Sequence, residues 1–165
     1  VDAFIKNGLS LKIFGKGFAG FEEQIKERIM NYELRIKKKS SIEFLGEVSD
    51  EEKDELMRNA KGFVFASQDE DFGIVPVEAM MSGTPVIAHR SGGVLETVND
   101  PSAGSGQEAT GLFFDDFTVE SLNNAIKKFE RTKFDPEVLI THAERFSKER
   151  FEKEIRDFVK SKIKD

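Results

Sequence analysis

The sequence predicts an α/β fold: a doubly wound parallel sheet with helices on both faces. Three observations predict it. Strand-like apolar runs alternate with helical patterns along all 165 residues. That alternation implies right-handed βαβ crossovers. The run 62–66 (Gly-Phe-Val-Phe-Ala) is nearly all apolar, as in a strand covered on both faces. Loops rich in glycine follow several strands, at the carboxyl edge where such sheets bind ligands. No internal repeat or second core is visible, so residues 1–165 read as a single domain.

The elements follow in order. Val1-Asp2-Ala3-Phe4-Ile5 is an amphipathic helix already under way, so the chain is expected to be a piece of a longer protein. Residues 9–14 form a strand stopped by Gly15-Lys16-Gly17. Phe21, Ile25 and Ile29 recur every four residues, a helical stripe. The basic run 35–39 reads as a solvated helix end and loop. A strand over 41–45 closes at Gly46. Ser49 with Glu52 three residues on is a capping box for a helix reaching about Asn59. After the strand 62–66, a helix over 76–82 has Pro76 in its first turn. Gly83-Thr84-Pro85 ends it, and the buried strand 85–88 follows.

A short helix is expected over 94–98. Residues 99–110, rich in Gly, Ser, Ala and Pro, read as a flexible loop, and 111–114 as a further strand. Val119, Leu122, Ile126 and Phe129 mark one helix, and Leu139, Ala143 and Phe146 the next. Phe151, Ile155, Phe158 and Val159 give the last helix an apolar face.

Composition excludes several functions. The net charge of -6 argues against a nucleic-acid binder, which would show a basic surplus. It leaves room for a phosphate ligand, because a local site can oppose the global sign. With no cysteine there is no disulfide and no thiolate metal site. That suits a reducing, cytoplasmic setting. No apolar run approaches a membrane span.

The chemistry concentrates in the stretch from Glu70 to Glu78, where two carboxylates bracket seven residues. Gly73 lets a ligand approach the backbone. The N–H groups of Ile74 and Val75 open a helix and suit a phosphate or a polar sugar face. Glu78, placed in the first turn, can accept from two neighbouring ribose hydroxyls, and Glu70 from those of a second sugar. Spacing alone equally fits a polar surface turn (68–71) and a stabilised helix start. The remaining signals are weaker. Gly15-Lys16-Gly17 lacks the third glycine of a dinucleotide fingerprint. Gly92-Gly93 is an anion cradle or a tight turn. His89 ends a strand without the neighbours a metal site needs. His142, on a helix stripe, and the Met80-Met81 pair read as core.

The segment 70–88 (Glu-Asp-Phe-Gly-Ile-Val-Pro-Val-Glu-Ala-Met-Met-Ser-Gly-Thr-Pro-Val-Ile-Ala), followed by Gly92-Gly93-Val-Leu-Glu-Thr-Val, resembles the nucleotide-sugar half of retaining glycosyltransferases of the GT-B architecture (group 1, or family 4). Ile42-Glu-Phe-Leu-Gly46, Thr110-Gly-Leu-Phe-Phe and the closing helices agree, so the resemblance spans nearly the whole chain. The wording Glu-Asp-Phe-Gly-Ile is most similar to the mannosyltransferase branch of WbaZ type.

The resemblance implies a role for each matching residue. Glu70, the catalytic candidate, would hold donor-sugar hydroxyls, and Glu78 the ribose. Phe72, Gly73, Ile74 and Val75 would line the sugar and diphosphate. Gly46, Glu47 and Val48 would meet the base, and Gly15 and Gly17 would border the nucleotide. Gly92 and Gly93 complete the donor site. No cofactor or metal is implied, since cationic side chains stabilise the departing diphosphate. A nucleotide-diphospho-sugar, GDP-mannose foremost, is the implied donor, and an N-terminal acceptor-binding half the implied partner. Association with the inner membrane face would be peripheral.

This chain departs from the family in three ways. An Arg and a Lys just upstream, and the acceptor half, are outside the sequence. Met81 replaces a small residue, and the 99–110 loop is longer than usual. Two other functions compete with glycosyl transfer: a non-catalytic sugar-nucleotide module, and an epimerase or phosphorylase on the same architecture. Arg35 to Lys39 as a membrane-docking patch is weaker than either.

Overall fold

A computed structural model describes residues 1–16, 20–37, 41–68, 70–101 and 108–163. The elements run α1 (Asp2–Asn7), β1 (Leu11–Phe14), α2 (Phe21–Ile36), β2 (Ile42–Gly46), α3 (Asp50–Arg58), β3 (Phe63–Phe65), α4 (Ile74–Met81), β4 (Val86–His89), α5 (Val94–Thr97), β5 (Gly111–Phe114), α6 (Val119–Phe129), α7 (Pro136–Ala143) and α8 (Lys148–Lys162). A 3-10 turn, Glu144–Phe146, joins the last two helices. All strand pairings are parallel. Among the described residues the strands form two sheets, β1-β2 and β3-β4-β5. The first strand starts at Leu11 because Gly8, at φ 65, closes α1 and lets the Leu9 N–H donate to the Phe4 carbonyl.

The three-stranded sheet is covered on both faces, and its side chains divide with period two. Val86 and Ala88 of β4, with Phe63 and Phe65 of β3, enter a core built with Val77 and Met80 of α4 and Leu139 and Ala143 of α7. Ile87 and Val64 point the other way, against Leu122, Ile126 and Phe129 of α6 and Phe4 of α1. Every β4 residue is buried, which explains its unbroken apolar run.

Local signals fix the helix starts. The capping box at α3 is present: Ser49 Oγ accepts from the Glu52 N–H at 3.1 Å, and Glu52 Oε2 accepts from the Ser49 N–H at 3.0 Å. Helix α4 departs from expectation. It begins at Ile74, two residues before Pro76, because Gly73 takes a left-handed N-cap conformation at φ 76. Pro76 still lies within the first turn, where no intrahelical N–H is required of it. Glu78 therefore sits in the second turn. The methionine pair also divides: Met80 is fully buried and Met81 is exposed.

The far edge of β5 is finished by a side chain. Asp100, buried, accepts from the Phe113 N–H at 3.0 Å. Lys128 of α6 lies 3.5 Å from its other oxygen, and Arg90 Nη2 3.6 Å from the first. One carboxylate thus ties the start of the 99–110 region to β5, α6 and the end of β4. Residues 102–107 of that region lie outside the described residues.

Candidate functional site

The carboxyl ends of β3 and β4 bring the glutamate loop against the glycine pair. The Gly93 N–H donates to the Glu70 carbonyl at 2.8 Å. A Cβ on Gly92 would lie 2.3 Å from that same carbonyl oxygen, and one on Gly93 2.5 Å from Phe72 Cα. Such distances exclude a side chain, so the glycines let the 70–72 backbone settle directly on them. Gly92 also has φ 64, where other L-residues are strained. The Gly93 N–H is committed to the loop. The pair fixes the loop's position, an arrangement different from an open anion cradle.

Glu70 is exposed at this edge, and the Ser67 hydroxyl donates to its Oε2 at 3.3 Å. The Phe72 ring stands edge-on to Phe146, 5.9 Å between centroids. Ile74 is exposed, whereas the Val75 side chain packs into the core and leaves its main chain at the helix start. Gly73 is buried, with Val94 Cγ1 3.0 Å from where its Cβ would be.

Glu78 is half-buried on α4 and meets a residue that the sequence reading treated only as part of a capped helix. Lys53 Nζ of α3 lies 3.0 Å from Glu78 Oε2 and 3.2 Å from Asp50 Oδ1. Glu78 Oε2 is buried and, although within ion-pairing distance of Lys53, has no well-aligned hydrogen-bond donor. The contact with Glu78 raises the Lys53 pKa above the ordinary lysine value, outweighing the opposing effect of burial. The stabilisation is complete below the unfolded value of about 10.4 and is lost only as pH rises through the raised one. Through neutral pH Lys53 stays charged.

The loops after β1 and β2 also meet. The Gly15 N–H donates to the Gly46 carbonyl at 2.8 Å, and Lys16 and Glu47, both largely exposed, pair at 3.7 Å. Val48 is half-buried beside them. Gly17 lies outside the described residues. His89 is buried, with Nδ1 2.8 Å from Ser91 Oγ, Nε2 3.1 Å from the Asp115 carbonyl, and its ring stacked on Phe117. His142 is buried too, and its Nε2 donates to the Thr97 carbonyl at 2.8 Å. Among the described residues no group of three or more His, Cys, Asp or Glu is placed to hold a metal ion. An open depression of about 520 Å³ beside β5 includes Arg90 and Lys128, but both cations face Asp100.

The model of the family described as "Glycosyl transferases group 1" matches residues 4–160. The chain belongs to that family. Over 105 residues this group 1 glycosyl transferase is 35% identical to mannosylfructose-phosphate synthase of Agrobacterium fabrum, covering 64% of the chain and 21% of that protein. Over 118 residues it is 33% identical to human alpha-1,3/1,6-mannosyltransferase ALG2, covering 68% of the chain and 26% of that protein. The chain thus spans about a fifth to a quarter of the length of these relatives.

The solved structures agree on the fold. Anabaena HepE in complex with UDP and glucose superposes with a TM-score of 0.70 at 24% identity, over 97% of the chain and 43% of HepE. The GtfA/B complex gives 0.73 at 20% identity, over 97% of the chain and 32% of its own. The group 1 glycosyl transferase chain therefore has the Rossmann-like architecture of a GT-B half. Among its described residues no helix is long and apolar enough to cross a membrane.

Lys53 and Asp100 are the two residues at which sequence reasoning stopped short. Lys53 follows a capping box, and its partner lies 25 residues downstream. Asp100 opens a loop of low-complexity composition. No periodicity links either to its partners, so only the fold reveals them.

Proposed function

We propose that this chain is the donor-binding half of a retaining glycosyltransferase, which moves mannose from GDP-mannose to an acceptor hydroxyl in glycan or lipopolysaccharide assembly. One observation supports the donor site above others: the loop carrying Glu70 is seated on Gly92 and Gly93 beside the helix carrying Glu78. The mannosyl choice draws on the two relatives, both named for mannosyl chemistry.

In this reading Glu70 accepts hydroxyls of the transferred sugar and Glu78 those of the ribose. The main chain from Phe72 to Val75, at the positive end of α4, faces the diphosphate. Gly46, Glu47 and Val48 meet the base, and Gly15 and Gly17 border the nucleotide. During transfer the bond from the anomeric carbon to the phosphate oxygen breaks, and one to the acceptor oxygen forms. The acceptor's proton leaves with the diphosphate. Cationic side chains upstream of Val1 stabilise that leaving group without a metal.

The other half of the enzyme, N-terminal to this chain, binds the acceptor. The apolar face of α8 favours such a partner, because Phe151, Ile155, Phe158 and Val159 are all exposed and large apolar patches mark interaction sites. The enzyme would work in the cytoplasm, peripherally at the membrane.

Calorimetric titration of GDP-mannose, UDP-glucose and UDP-N-acetylglucosamine into the full-length protein tests the reading. GDP-mannose should bind most tightly. Glu78→Ala should weaken it by about 30-fold, roughly 2 kcal/mol, the scale of a charged group's hydrogen bonds. Unchanged affinity in that variant refutes the ribose role.

A further inference from the structure

Lys53 lies next to the carboxylate that the donor reading assigns to the ribose, and its surroundings suggest more than a surface ion pair. Its side chain is only 20% exposed, against 92% for Asp50 and 35% for Glu78. The capping box at Ser49 and Glu52 fixes the turn from which it projects. An ammonium has three donors. Asp50 and Glu78 face two of them, which leaves a third for a ligand oxygen. Glu78 has three rotatable bonds before its carboxylate, and a ribose diol needs that carboxylate held in one orientation. Lys53 anchors Oε2 and leaves Oε1 for hydroxyls.

Building on the donor-site reading, we propose that Lys53 is a positioning residue: it orients the Glu78 carboxylate so that the site selects ribonucleoside over deoxyribonucleoside diphosphates. The selection arises because a carboxylate prepared for two hydroxyls loses hydrogen bonds when they are missing.

The test is calorimetric binding to the full-length protein of GDP against 2′,3′-dideoxy-GDP, with the UDP pair run in parallel. The tighter-binding base is used for the comparison. Wild type should prefer the ribo form by at least 10-fold. Lys53→Met should reduce that preference to within about threefold, and Lys53→Arg should restore most of it. Lys53→Gln, one atom shorter than lysine, uncharged but still a hydrogen-bond donor, should fall between and guards against a folding defect peculiar to methionine. Thermal melts of each variant confirm that it is folded.

A Lys53→Met protein that weakens both ligands equally, keeping the ribo preference, overturns the proposal, and so does one that changes nothing. Glu78→Ala separates the two readings. If it abolishes the preference while Lys53→Met leaves it intact, only the role of Lys53 fails. If neither changes it, the ribose assignment of Glu78 fails as well.

Discussion

Gly92→Ala should cut donor affinity in the full-length protein by more than 100-fold, measured by calorimetry. Two effects act together. The methyl group would lie 2.3 Å from the Glu70 carbonyl oxygen and 3.0 Å from its nitrogen. Both are backbone atoms, so no side-chain rotation relieves the overlap and the loop itself must move. The φ of 64 adds a backbone penalty of about 1 kcal/mol for a residue with a Cβ. Overpacking of this kind typically costs about 1–3 kcal/mol of stability, so the protein should remain folded while Glu70 is carried out of register. The affinity loss of 100-fold corresponds to about 2.7 kcal/mol. Wild-type affinity in Gly92→Ala would show that the loop's seat does not set the donor site.

The second large effect falls on stability. Asp100→Ala should lower unfolding free energy by about 3 kcal/mol in urea titration, seen as a melting temperature about 6–12 °C lower for a chain of this size. The change leaves the Phe113 N–H on β5 without its acceptor and opens a void where a fully buried carboxylate stood. The positive side fares better, because Arg90 and Lys128 are 40% and 47% exposed and can rehydrate. Arg90 also keeps Asp115, at 2.6 Å from its Nε. Removing both cations together leaves Asp100 buried without them, and that double variant should be destabilised at least as much. A loss under 1 kcal/mol for Asp100→Ala would mean that the carboxylate is not what closes the β5 edge.

Local chemistry made much of the architecture readable. Ser49 and Glu52 mark α3 because both halves of a capping box lie within one turn. Residues 85–88 read as a buried strand because both sheet faces are covered there, so nothing polar interrupts them, whereas the equally apolar β3 is only half-buried. Helix α4 starts two residues before the position that Pro76 signals, because the left-handed turn at Gly73 that opens it gives no sequence cue beyond being glycine. The glutamate pair was visible by spacing and resemblance. What holds it was not: Gly92 meets Glu70 and Lys53 meets Glu78 across 22 and 25 positions of sequence, joined only once the strands are aligned. Met81 illustrates the same limit. It is apolar and follows a buried neighbour, yet 100° of helical rotation turns it to the surface.

The edge-on contact of Phe72 with Phe146 has an optical consequence. The chain contains one tyrosine and no tryptophan, and Tyr32 lies on α2, beside Arg35. Phe72 is 43% exposed, which leaves room for a larger ring. Phe72→Trp therefore installs the chain's single indole at the mouth of the glutamate loop. Its emission should shift to the blue when a nucleotide sugar covers it, so occupancy of this loop can be followed by light against an otherwise nearly dark chain.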